Sequence, residues 1–227
     1  MYVTLSSEFA PAPSAPDPNH QSEGTTRLPH GKTQAAGTHL FREGDPASSI
    51  YEIVSGVFRL TRVLGNGRRQ VIAFGFPGDT IGFPKGACHH TDCEAITKAK
   101  VTAHRRNALD TVDGDHLTRH RLLHAALREI SAMQDHFMML ARKSAKEKVA
   151  SFLVTLAERT GTPIGGYTTC LLPMTRADIA DFLGLSVETV SRTLTSLRKE
   201  NMIALENTQT VLIRNMQALI SASQASE

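Results

Sequence analysis

Between Pro173 and Asn201 the chain must turn sharply between two short helices, and this requirement restricts its fold more than any other segment. Thr175 is a side-chain cap for the first helix, and Asp178 stands three residues on, the spacing of a capping box. Ile179, Phe182 and Leu183 give that helix an apolar face. Gly184 ends it, because a left-handed turn costs little only where there is no Cβ. Ser186 caps the second helix. At about 100° per residue, Val190, Leu194 and Leu197 share one side of it. Glu188, Arg192, Thr195 and Lys199 lie opposite, with Ser191 at the edge. Ala180 is small where the second helix must cross the first, and Ile179, Leu183, Leu185 and Val190 are aliphatic at the contact positions. Together these spacings make a helix-turn-helix.

The second helix has one side to bury and one to offer. A bland use of the offered side is a solvated face in which Glu188 and Arg192 form an i,i+4 ion pair, worth about 0.2–0.5 kcal/mol. The helix-turn-helix context favours another use, with N-terminal residues of this helix entering a major groove of DNA. Arg192 can donate two hydrogen bonds to guanine, Glu188 can accept one from cytosine, Ser191 can reach a neighbouring base and Val187 can touch a thymine methyl. Arg198 and Lys199, a turn later, are placed for phosphates, as are Arg176 and Thr189 near helix N-termini. From 171 to the end, five Lys or Arg stand against six Asp or Glu, so this is not a basic domain. Phosphate attraction must draw partly on Arg142, Lys143, Lys146 and Lys148.

The rest of the chain divides by pattern. Residues 1–30 are rich in Pro, Ala, Ser, Asn and Gln without periodicity, and read as a disordered tail. Residues 31–112 alternate short runs of Val, Ile, Phe and Tyr with turn residues such as Ser55-Gly56 and Gly65-Asn66-Gly67. "QVIAFGF" alternates loosely, as a half-buried strand does, and the set points to a β-sandwich or barrel. Over 113–141 the period changes to seven. Leu123, Ile130 and Phe137 form one series and Ala126, Met133 and Leu140 another, flanked by Arg121, His124, Arg128, Glu129 and Gln134. Such a seam pairs a helix with its copy in a homodimer, or packs it on its own sheet; the narrow, polar-flanked form favours the copy. Residues 142–227 begin with an amphipathic helix whose Val149, Phe152, Leu153 and Leu156 face inward and which stops at Gly161. They end in a hairpin turning at Glu206-Asn207-Thr208.

Composition narrows the setting. At 41% hydrophobic residues a packed core is within reach, and with no Trp it must be largely aliphatic. No run approaches 18 apolar residues, so no membrane span is expected. The first residues carry no Lys or Arg before Arg27 and no apolar stretch, unlike a secretory signal. Three cysteines suit a reducing cytoplasm better than a disulfide scaffold. The formal charge of +3 permits a polyanionic partner without demanding one.

One short segment tempts a metal assignment. "ACHHTDC" places Cys88, His89, His90 and Cys93 within six residues. Adjacent histidines in a tight loop seldom both ligate, and the competing reading is an exposed loop after which Cys93 starts a strand. A thiol switch is the third reading. Cys170, before an apolar "LLPM", reads as a buried core thiol, while His104, His116, His120 and His124 are scattered and read as surface residues.

"LFREGDPASSIYEIVSGVFRL", "GRRQVIAFGFPGDTIGF" and "MTRADIADFLGLSVETVSRTLTSLRKENMI" resemble the CRP/FNR family of bacterial transcription regulators, over residues 38–220. The resemblance implies an α+β chain: an N-terminal double-stranded β-helix (a jelly-roll like cyclic-nucleotide-binding domains), a long dimerisation helix and a C-terminal winged helix-turn-helix. "VETVSR" is similar to the FNR and FixK branch, for which Glu188, Ser191 and Arg192 would read a palindrome resembling TTGAT-N4-ATCAA. It further implies a homodimeric non-enzyme that activates by touching RNA polymerase, with the hairpin Leu64–Arg69 matching a contact surface. Departures matter equally. Phe83 stands where cyclic-nucleotide receptors carry Glu, and Cys93 near their Arg, so a ribose and cyclic phosphate would find no partners. No Cys precedes Cys88, which speaks against the N-terminal iron–sulfur ligands of the oxygen sensors. The expectation is a FixK-like regulator without cofactor; the alternative is a redox- or metal-responsive one gated at the β-domain.

Overall fold

The computed structural model describes residues 31–83, 86–106 and 116–224. The expected tail over 1–30, the junction over 107–115 and the last residues, 225–227, lie outside the described residues. Eight strands open the fold: β1 (Gly31–Gln34), β2 (His39–Phe41), β3 (Ser49–Ser55), β4 (Phe58–Val63), β5 (Arg69–Gly75), β6 (Thr80–Ile81), β7 (Asp92–Ala95) and β8 (Ala99–Arg105). They form two antiparallel four-stranded sheets, ordered β1-β8-β3-β6 and β2-β7-β4-β5. Phe41, Ile53, Phe58, Leu60, Ala73, Cys93 and Val101 fill the space between them. Strand alternation sends Ile53 and Val101 inward and their neighbours Glu52 and Thr102 outward.

β5 is buried more completely than its loose alternation predicts. Ala73 enters the core of the roll, while Val71, Phe74 and the following Phe76 belong to a second core. The reason is that α-helices from the C-terminal half cover the outer face of this strand. These elements are α2 (Ala145–Thr160), β9 (Thr162–Ile164), β10 (Tyr167–Leu171), α3 (Arg176–Leu183), α4 (Val187–Lys199), β11 (Ile203–Leu205), β12 (Thr210–Ile213) and α5 (Met216–Ser223). Their sheet runs β11-β12-β10-β9, with the β11–β12 hairpin turning over residues 206–209. Phe74 lies against Phe182 at 5.3 Å and Phe152 at 6.4 Å between ring centroids. Val149, Phe152, Leu153 and Leu156 face this core, and Cys170 is buried within it.

α1 (His116–Arg142) links the halves and carries two apolar faces. Leu122, Ala125, Ala132 and Met139 are buried against the chain's own domains. Of the expected seam, Leu123, Ile130, Met133 and Phe137 are exposed, Phe137 by 69%, whereas Ala126 and Leu140 are half-buried. The stripe is also wider than a polar-flanked seam, since Leu127 and Met138 are exposed beside it. Period-seven counting marked the exposed stripe and missed the buried face, because Ala125, Ala132 and Met139 recur at the same spacing. At its end Ser144 caps α2 reciprocally with Glu147, which fixes the direction in which the chain departs.

Candidate nucleic-acid interface

Each turn of the helix-turn-helix is held by local bonds. The Thr175 amide and hydroxyl donate to Asp178 Oδ2 at 3.0 and 2.7 Å, and the Asp178 amide donates back to Thr175 Oγ1. Gly184 takes φ +63°, left-handed as its position demanded. Ser186 Oγ accepts from the Thr189 amide at 3.0 Å and caps α4. Val190, Leu194 and Leu197 are buried, so α4 is seated by one face and presents the other.

The presented face gathers Val187, Glu188, Ser191 and Arg192, all exposed, with Arg198 and Lys199 exposed a turn beyond. Arg192 and Glu188 form the i,i+4 pair at 3.3 Å, but their side chains stay 71% and 75% exposed. An exposed pair of this kind holds neither partner strongly, so both remain open to better hydrogen-bond partners. Ser191 Oγ donates to the Val187 carbonyl and Thr195 Oγ1 to the Ser191 carbonyl, folding both hydroxyls onto the helix. Thr189 is half-buried, and its hydroxyl shares a 2.8 Å hydrogen bond with that of Ser186. Arg176 is also half-buried, and burial lowers its pKa. Its Nη1 is enclosed without a hydrogen-bond partner, a less open placement than a phosphate contact at a helix start suggests. Beyond α4, Lys146 is engaged with Glu200 at 2.7 Å.

The roll grips the back of this unit through residues to which the sequence alone assigned no such pairing. Arg59 Nη1 reaches Asp178 Oδ1 at 2.6 Å and its Nη2 reaches Glu94 Oε2 at 2.6 Å. Arg69 Nη2 bridges Asp178 at 2.8 Å and Asp181 at 2.9 Å, and Gln70 donates to the Asp181 carbonyl. On α2, Arg159 meets Asp79 at 2.6 Å and lies 5.6 Å over the ring of Phe76. The Asp178 side chain is only 1% exposed. Its burial pushes the pKa up, but the bonds from Thr175 and the charge of Arg59 outweigh this and hold the carboxyl below its usual range. From the other side, His136 of α1 stacks on Phe182 at 4.3 Å. Burial, aided by the Lys148 charge, pushes its pKa down to about 4, so it is neutral at pH 7.

The cysteine–histidine segment does not converge. Cys88 is exposed, His90 is exposed, His89 is buried in a 3.8 Å stack on Phe41, and Cys93 is buried in the roll with its thiol pKa pushed up by burial. The exposed-loop expectation therefore fails at His89. Among the described residues no three His, Cys, Asp or Glu side chains gather as metal ligands. The expectation of scattered surface histidines is also corrected. His104, His120 and His124 line one cavity, and His104 is largely buried. Among the described residues no helix is long and apolar enough to cross a membrane.

Comparison with known proteins agrees with this geometry. Residues 147–222 match the Crp-like helix-turn-helix domain and residues 32–112 the cyclic nucleotide-binding domain. The chain is 39% identical over 187 residues to the nitrogen fixation regulation protein FixK of Azorhizobium caulinodans, covering 82% of this chain and 75% of that one. It is 38% identical to FixK of Rhizobium meliloti, covering 83% and 85%. The solved structure of FixK2 from Bradyrhizobium japonicum superposes with a TM-score of 0.78 at 33% identity, over 87% of this chain and 98% of that one. A roll, a two-faced helix and a winged helix-turn-helix joined in this order, with such relatives, make the chain a DNA-binding transcription regulator of the FixK-like branch of the CRP/FNR family.

Proposed function

We propose that the chain acts as a homodimeric activator reading a palindrome resembling TTGAT-N4-ATCAA, without a cyclic nucleotide or an iron–sulfur cluster. The observation that carries this reading is the α4 face, where Val187, Glu188, Ser191 and Arg192 stand exposed while Val190, Thr193, Leu194 and Leu197 on the opposite side are buried. Arg192 and Glu188 would exchange their weak ion pair for guanine and cytosine edges. Lys199 and Arg198 would take phosphates, with Thr189 and Arg176 as closer, partly covered contacts. The exposed stripe of Leu123, Leu127, Ile130, Met133 and Phe137 supports pairing of α1 with a second copy, with Ala126 and Leu140 at its edge. Two α4 helices would then meet half-sites about 34 Å apart. Leu64 and Arg68, exposed on the β4–β5 turn, suit the polymerase contact, whereas Arg69 is engaged with α3. Against a cyclic nucleotide stand the enclosed thiol of Cys93 and the ring of Phe83.

A gel shift with the palindrome and a scrambled duplex tests the reading. Arg192→Ala should lose about 1–3 kcal/mol on the palindrome and tolerate change at one base pair. Equal affinity of wild type for the two duplexes would refute it.

A further inference from the structure

A cavity of about 370 Å³ lies between α1 and the outer face of the β3–β8 sheet. Its charged and titratable lining is Glu52, His104, His120, Arg121, His124 and Arg128. It sits outside the roll, because Ile53 and Val101 point into the core with Cys93 while Glu52 and His104 point away. It is thus on the opposite side of the sheet from the interior that holds Cys93. We infer that this cavity binds a small dianion of phosphate or dicarboxylate type.

Charge bookkeeping favours an anion. Among the described residues Glu52 is the one carboxylate in the lining, and it is already engaged. Arg121 donates to both of its oxygens, at 3.1 and 3.0 Å, and His104 Nε2 is 3.4 Å away. Arg128 forms no ion pair among the described residues and is exposed at the rim. His120 Nε2 and His124 Nε2 face each other at 3.1 Å, so one N–H can serve only the other ring. His104 Nε2 is buried and makes no hydrogen bond in the structure. The described lining therefore holds one guanidinium without a carboxylate partner, Arg128, beside three imidazoles whose only neighbouring acceptors are Glu52, already held by Arg121, and one another. A dianion would accept from Arg128 and the imidazoles together, and would tie β3 and β8 to the first turns of α1. A metal ion fits less well, since two guanidiniums stand in the wall and, among the described residues, no group of three ligands gathers there.

Calorimetric titration of the full chain at constant ionic strength tests this, with inorganic phosphate, pyrophosphate and succinate as separate probes and zinc chloride as a control. At least one oxyanion should bind saturably, once per chain. Arg128→Gln and the double variant His120→Ala/His124→Ala should each weaken binding about tenfold or more, which is about 1.4 kcal/mol. Arg192→Ala, on the DNA face, should leave it unchanged. Phosphate and pyrophosphate without succinate would identify a phosphoryl ligand, and the reverse a dicarboxylate. The proposal is overturned by any of four results. These are no saturation up to about 10 mM, unchanged binding in Arg128→Gln with its melting temperature intact, loss of binding in Arg192→Ala, or zinc binding alone. The gel shift is independent, so DNA reading and anion binding stand or fall separately.

Discussion

His136 shows how one side chain can connect acidity to the packing of the DNA-reading unit. It is enclosed between α1 and Phe182 and titrates near pH 4, against about 6.5 when unfolded. Above pH 6.5 neither state holds the proton and His136 contributes nothing to pH dependence. Between pH 6.5 and 4 only the unfolded chain binds it, so stability is lost as pH falls. Wild type should lose about 2 kcal/mol more than His136→Phe between pH 7 and 5, which melting curves at the two pH values can measure. Phe keeps the stacking and removes the titration. Residues in local motifs were legible from sequence: Thr175, Gly184 and Ser186 act within a few positions of themselves. Asp178 was legible only as a cap. Its partners Arg59 and Arg69 are 119 and 109 residues away, and no local spacing encodes such a pairing.

At the scale of the element, α1 is the least self-explanatory part of the chain. Its seven-residue series marked Leu123, Ile130 and Phe137, which are exposed, but also half-buried Ala126 and Leu140. The buried residues Ala125, Ala132 and Met139 also recur every seven positions, with Leu122 one turn before them, so the period alone does not say which series faces the chain's own domains. The histidines of its first turns likewise seemed unrelated to His104, because β8 and α1 meet only once the roll has formed. If α1 pairs with its copy through the exposed stripe, Ile130→Glu should place like charges at the centre of that contact. Sedimentation should then show a monomer, and affinity for the full palindrome should fall at least tenfold, toward that of a half-site. Unchanged sedimentation would place the dimer contact elsewhere.

At the scale of the whole molecule, the two halves share one interior. Val71, Phe74 and Phe76 of the roll are packed among Phe152, Ile179 and Phe182, and three arginines fasten the rim. Heating should therefore unfold both halves in a single transition, followed by circular dichroism and calorimetry. Phe182→Ala should cost about 3–5 kcal/mol and Asp178→Ala about 3 kcal/mol, because it removes the buried carboxylate that Arg59 and Arg69 share and leaves Arg59 only Glu94. Two separate transitions in wild type would contradict the shared core. The order of roll, helix and winged helix-turn-helix was legible because period and turn chemistry change along the chain. Their docking was not, because "QVIAFGF" signals a strand without saying what covers its second face.

That doubly covered strand bears on how such regulators can diversify. By chain order alone, exchange of DNA specificities between relatives would require only a crossover near Lys143 and Ser144, where α1 ends and α2 begins. A hybrid made there would inherit β5 from one parent and the helices that seal it from another. Its Val71, Phe74 and Arg69 would meet unfamiliar partners at Phe182, Asp178 and Asp181. If Glu188, Ser191 and Arg192 read the bases as proposed, specificity can drift there without touching this surface, while α3 must coevolve with a strand more than a hundred residues upstream.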